Sequence, residues 1–248
     1  MKPGWKIRWR VVPIGLLIFS ALLVGFESGQ KVTAYLAFIN RDYTRALEIY
    51  SQIQDWSGCG MCFLALNQPD EAMKHFKQGG DQSGIGLSYT KKRDYQTALQ
   101  YFHAAGDDEG CGLAYMGLRD EAKAREHFTR ANSWSGLGLL ALAKKDYAEA
   151  ERCFKKVNDF SGLGLTALKQ KKFQEAMQYF NQAQDQNGAG LVFLANRNHR
   201  KAVQYFQGIN DQSALGYVFL AMNRPDKAYR SFLAANDLNG LGDYHSMN

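Results

Sequence analysis

The sequence predicts an all-α protein, a right-handed helical-hairpin solenoid preceded by one N-terminal transmembrane helix. Three observations lead there. Stepping 26 residues at a time from Gly60 reaches Gly86, Gly112, Gly138, Gly164, Gly190, Gly216 and Gly242 with no insertion or deletion. The same step from Ala46 gives Ala72, Ala98, Ala124, Ala150, Ala176, Ala202 and Ala228, and from Tyr50 it gives Phe76, Phe102, Phe128, Phe154, Phe180, Phe206 and Phe232. A fixed period of this size means that each unit buries its apolar face against its neighbours. Within a unit the apolar residues recur at helical steps. The unit from Ser135 carries Leu137, Leu139, Leu140 and Leu142, a break at Lys144-Lys145-Asp146, then Tyr147, Ala150, Cys153, Phe154 and Val157. The consensus of a leucine-rich repeat is absent, and no unit alternates with a period of two.

Residues 1–10 form a basic N-terminus with Lys2, Lys6, Arg8 and Arg10. Val11 to Phe26 then runs for sixteen residues without a charge. This run predicts a signal-anchor helix over 11–29, with a removed signal peptide as the alternative. Sites for cleavage are poor, because a cut after Gly25 places Leu23 at the other key position. Basic residues cluster before the span, which predicts a single pass through the inner membrane with a cytoplasmic N-terminus and periplasmic repeats.

The solenoid occupies 30–248, with units starting at about Lys31, Ser57, Ser83, Glu109, Ser135, Ser161, Asn187 and Ser213. The ninth unit is truncated to a capping helix over 239–248, in which Asp243 and Ser246 replace residues that are apolar elsewhere. A polar terminal helix lets a solenoid end in water.

Asp55, Asp81, Asp107, Asp159, Asp185, Asp211 and Asp237 share one row, with Ser133 as its exception, two residues before a row of Ser, Asn or Glu. Either row can cap a helix start. The repeated Gly pair needs another reason, since Gly inside a helix costs roughly 0.5–1 kcal/mol relative to Ala. The expectation is that each first helix lies too close to the preceding unit's second helix to admit a Cβ. Val32 and Ala34, in a unit without a predecessor, fit that reading.

Of the formal charge of +6, four come from the N-terminal cluster. In the repeats, Arg93, Arg119, Lys144, Lys145, Lys171, Lys172 and Arg197 fall at turns within units, and the Asp row falls at turns between units. One edge of the ribbon should be basic and the other acidic, either as solvated turns and capping acids or as a bipolar surface for a charged partner or lipid head groups.

Chemical motifs are scarce. Cys59-Gly60-Met61-Cys62 looks like a redox or metal pair, but Cys59 shares a row with Ile85, Leu137 and Leu163, and Cys62 with Ala114 and Leu140, so both read as small core residues. The Gly-x-Gly repeat lacks the third Gly and the preceding strand of a dinucleotide fingerprint. No pairing of His75, His103, His127, His199 or His245 with a carboxylate suggests a catalytic centre, and Asp107 and Asp108 lie together in a turn. Neither catalysis, nor a cofactor, nor a metal site is expected. Basic residues interleaved with Tyr would suit nucleic acid, but the expected topology places them outside the cytoplasm, so no nucleic-acid partner is expected.

Gly138, Ala150 and Phe154, with Ala105, Ala131, Ala183 or Ala235 in other units and Trp56 and Trp134 near helix starts, resemble the small-and-aromatic signature of tetratricopeptide repeats. The resemblance runs from about Lys31 to the C-terminus and departs in length, since the family unit has 34 residues and this one 26. It implies a superhelix that binds other proteins on the concave side, lined by first helices. In that row stand Met61, Leu87, Leu113, Leu139, Leu165, Leu191 and Tyr217, which a tightly wound solenoid could instead bury as core. A second candidate row, Tyr101, Tyr179 and Tyr205 on second helices, remains large beside phenylalanines that already fill the core; it either meets a partner or a second copy, or packs on the next unit. The functional expectation is a membrane-anchored scaffold or assembly factor of a bacterial envelope complex, whose partners are other proteins of that complex. The alternative is an accessory subunit of a membrane enzyme or transport machine.

Overall fold

The structure, a computed structural model, describes residues 29–235 and 237–247. The expected membrane segment, 11–29, lies outside them except for Gly29, as does the basic segment 1–10. Among the described residues no helix is long and apolar enough to cross a membrane.

The described chain is a series of helical pairs. In order these are α1 (29–39) and α2 (Tyr43–Gln52), α3 (Trp56–Ala65) and α4 (Pro69–Gly79), α5 (Gln82–Lys91) and α6 (Tyr95–Ala105), α7 (Asp108–Gly117) and α8 (Glu121–Arg130), and α9 (Trp134–Ala143) and α10 (Tyr147–Lys156). There follow α11 (Phe160–Lys169) and α12 (Phe173–Gln182), α13 (Gln186–Ala195) and α14 (His199–Gly208), α15 (Gln212–Ala221) and α16 (Pro225–Ala234), and the unpaired α17 (Leu238–Met247). The 26-residue period divides into ten residues of helix, three of turn, ten of helix and three of turn, as in α9 and α10.

Three residues suffice for a turn because one residue serves two helices. At the end of α1, Asp42 N–H donates to the Ala37 carbonyl and Arg41 N–H to that of Phe38, both at 2.9 Å. This is a Schellman closure, with Arg41 in the left-handed region at φ 63°. Asp42 then accepts from Arg45 N–H at 3.2 Å and so caps α2. The same left-handed position falls to Gly80 and Gly106 in two turns, but elsewhere to Arg, Lys, Asn or Gln. For the starts of the first helices the Asp row is the cap: Asp81 accepts from Gly84 N–H at 2.7 Å and Asp159 from Gly162 N–H at 2.8 Å. Helices α4 and α16 lack a side-chain cap and begin instead with Pro69 and Pro225, whose missing N–H needs no partner. Only α12, after Lys172, has neither device among the second helices that follow a described turn.

Each first helix packs on its own second helix, on the second helix before it and on neighbouring first helices, whereas among the described residues the substantial contacts of second helices are all with first helices. The first helices therefore line the inside of the curve. Between the layers lie the Phe row from Phe76 to Phe232 and the Ala row from Ala46 to Ala228, all fully buried.

The glycines explain that layer, with one correction. A Cβ on Gly138 would lie 2.6 Å from Phe154 Cε1, and one on Gly162 would lie 2.5 Å from the same atom. Each phenylalanine ring of the row is thus held between two glycines, except Phe206, which has Gly190 on one side and Ala214 in the other glycine row. The Gly162 row does face the preceding unit, as expected, but the Gly138 row faces the second helix of its own unit. Gly242 agrees with this assignment: among the described residues no second helix follows it, and a Cβ there would meet nothing within 4 Å. Ala34 is accordingly not explained by a missing predecessor; its counterpart across the pair is Tyr50 rather than Phe.

The ribbon also closes on itself. Arg41 Nη1 donates to Asn187 Oδ1 at 3.0 Å across 146 residues, so the superhelix returns over its own start between five and six periods later.

Candidate partner-binding surface

The inner row of first helices is neither open groove nor full core. Leu139 and Leu165 are half-buried, whereas Met61, Leu191 and Tyr217 are 39%, 38% and 37% exposed. Apolar side chains thus stand along the concave side after the layers have packed. Tyr217 donates its hydroxyl to Asp243 Oδ2 at 3.2 Å, one period on. Its phenol is pushed up to about 12 by burial and by the Asp237 and Asp243 carboxylates, while the Arg93 guanidinium acts in the opposite sense.

Four serines of the small polar row beside this ladder are committed within the stack. Ser57 Oγ donates to Asp81 Oδ2 at 2.8 Å, Ser135 to Asp159 at 3.0 Å, Ser161 to Asp185 at 3.1 Å, and Ser213 to Asp237. Each of these aspartates caps its own helix with Oδ1 and ties back to the previous first helix with Oδ2. These serines lie beside the ladder but are bonded within the stack.

Tyr101, Tyr179 and Tyr205 are half-buried, and each packs within the repeat. Tyr101 stacks on Tyr89 with centroids 5.4 Å apart, and Tyr205 tilts against Phe193 at 5.7 Å. The same position holds His75 against Phe63 and His127 against Tyr115. Tyr179 packs on the clusters around Phe154 and Phe180. Leu165, Tyr179 and Tyr205 border one of these clusters, so part of the tyrosine row and part of the leucine row do converge; Tyr101 and Tyr217 do not share it.

One pairing was not legible in the sequence. His127, 6% exposed, places Nδ1 2.7 Å from Asp108 Oδ1, which also accepts from Arg130 Nη2 at 2.8 Å. A histidine does meet a carboxylate, nineteen residues away on the neighbouring first helix. The His127 bond, then Arg130, holds the Asp108 carboxyl below its ordinary range. The nearby Cys111 thiol is pushed up to about 11, by burial first and then by Asp108 and Asp107, so it is no thiolate nucleophile at neutral pH. The cluster is an ion pair that ties α7 to α8. All four cysteines are buried and unpaired, and among the described residues no group of three His, Cys, Asp or Glu side chains is placed to hold a metal.

The two edges of the ribbon meet at the return of the superhelix. A hollow of about 590 Å³ lies between Arg41 and Gln68 on the early turns and Asn187, Asn210 and Asp211 on the later ones. Arg41 is half-buried there, whereas Arg119, Lys145, Lys171 and Arg197 in the same row are exposed.

Residues 131–162 and 160–189 match the tetratricopeptide repeat. Both stretches lie in the middle of the solenoid, within the span from about Lys31 to the C-terminus over which the sequence resembles that family. A solved tetratricopeptide repeat protein from Parabacteroides merdae is 15% identical, with 90% of this chain and 99% of that chain covered and a TM-score of 0.48. No curated protein matches the chain. The fold is an all-α repeating helical solenoid like that of tetratricopeptide repeats. Sequence reasoning missed the Ser–Asp ties, whose signal was present in the constant spacing of 24 residues, and the Arg41–Asn187 contact, for which no local signal exists.

Proposed function

We propose that the protein is a membrane-anchored scaffold that binds other proteins in a bacterial envelope complex. The observation that carries this reading is the inner row of apolar side chains, of which Met61, Leu191 and Tyr217 keep more than a third of their surface exposed on first helices. Exposed apolar side chains set in series on a rigid scaffold suit a peptide or a partner helix. The apolar run Val11 to Phe26 and the basic residues before it support the anchored topology.

The test is affinity recovery of the full chain from native membranes, comparing wild type with a variant carrying Met61→Ser and Leu191→Ser. The expected result is a specific protein retained by wild type and lost by the variant, with melting temperatures within a few degrees. Equal retention by both chains removes the ladder as the binding surface. A reporter at the C-terminus should read the extracytoplasmic side, and a cytoplasmic reading rejects the topology.

A further inference from the structure

The first described helix of the solenoid leaves exposed a face that interior units bury. In interior units, the second helix of the preceding unit covers two rows of the first helix. These are the glycine row, whose Gly84 and Gly162 meet Phe76 and Phe154, and the row of Cys62, Ala114, Leu140, Val192 and Val218, at most 4% exposed. On α1 the same rows hold Val32 and Leu36, exposed by 58% and 49%. Tyr35 and Ile39 are exposed by 57% and 51%. At 100° per residue these four positions share a 100° arc, opposite the face where Ala34, Ala37 and Phe38 pack on the rest of the stack. Solenoid ends normally turn a polar face outward.

We propose that the bilayer surface covers this end face, so that α1 is an interfacial cap whose apolar side, Val32, Tyr35, Leu36 and Ile39, lies against lipid. The inference rests on the membrane-anchored reading above. Its occupant is set by chain length: Phe26, the last residue of the uncharged run, precedes Val32 by only six positions. Even fully extended, six residues reach about 20 Å, so an anchored chain holds this face near the membrane boundary. An amphipathic helix with such a face buries it several ångströms into the head-group region. A second copy could cover the same residues, but nothing equivalent ties one to this end.

The test uses the full chain with an environment-sensitive fluorophore at one introduced cysteine, reconstituted into phosphatidylcholine–phosphatidylglycerol vesicles. The native cysteines are buried, and unmodified chain measures any background labelling. Labels at L36C and Y35C should show blue-shifted emission and strong quenching by spin-labelled lipid. Labels at T33C, exposed on another face of the same helix, and at K145C, on a distant turn, should show little of either. Vesicle-bound protein with equal quenching at positions 33 and 36, or with none at 36, overturns the interfacial cap while the anchor stands. Concentration-dependent self-quenching at 36 without lipid quenching assigns the face to a second copy and also overturns it. Protein that fails to enter vesicles at all overturns the anchor, and the cap with it.

Discussion

Ser133 donates its hydroxyl to Glu109 Oε1 at 2.7 Å, joining the position where the Asp row departs from pattern to one where the Ser row does. Where other units pair a serine with an aspartate 24 residues on, this unit has the acid first and the hydroxyl second. The tie survives the exchange. Ser133 also caps α9, accepting from Gly136 N–H at 3.1 Å.

The exchange predicts coupling between the two residues. Ser133→Ala should cost about 1 kcal/mol through the lost cap, together with the lost tie. Ser133→Asp alone sets two carboxylates against each other, and adding Glu109→Ser should recover wild-type stability. Urea unfolding of the two single variants and the double measures this; strictly additive effects would mean that the pair is not coupled.

The glycine rows predict opposite outcomes for one substitution at two places. Gly138→Ala forces a methyl to within 2.6 Å of the Phe154 ring and should destabilise by about 1–3 kcal/mol. Gly242→Ala meets open space and should instead stabilise α17 by roughly 0.5–1 kcal/mol. Melting curves that move in the same direction for both would refute the assignment of this row to the ring of its own unit.

The unsupported start of α12 offers a gain. Lys172 supplies no side-chain cap, and Glu175 stands at the third helical position. Lys172→Asp completes a capping box and should stabilise by about 1 kcal/mol. Asp146→Ala at the start of α10 should lose a similar amount, and no gain from the first variant would show that the turn geometry there refuses the cap.

The buried thiols set an alkaline limit. Burial, with Cys59 second, pushes the Cys62 thiol up from 9.0 to about 12, and burial with Asp108 and Asp107 pushes Cys111 from 9.0 to about 11. The folded state binds these protons more tightly than the unfolded chain does. Their contribution is therefore intact below pH 9, falls as the unfolded thiols ionise, and is spent by about pH 11 to 12. Under reducing conditions, wild type should lose more stability between pH 8 and 10.5 than Cys62→Ala does. Parallel losses would remove the thiol from the account. Native protein at pH 8 should also resist alkylation at all four sites.

The sequence by itself determined the period, the helical pairs and the buried Ala and Phe rows. Each depends on spacing along one or two helices, and a side chain's face follows from its position in a 3.6-residue turn. It also placed the cysteines in the core and the charges at the turns. Tertiary structure alone decided which glycine row meets which ring, that His127 finds Asp108, that the serines are consumed by aspartates of the next unit, and that Arg41 reaches Asn187. The physical reason is the small rotation between successive units. It arises from the summed packing of whole helix pairs, so it sets the depth of the leucine row and the radius of the superhelix without leaving a mark on any one residue.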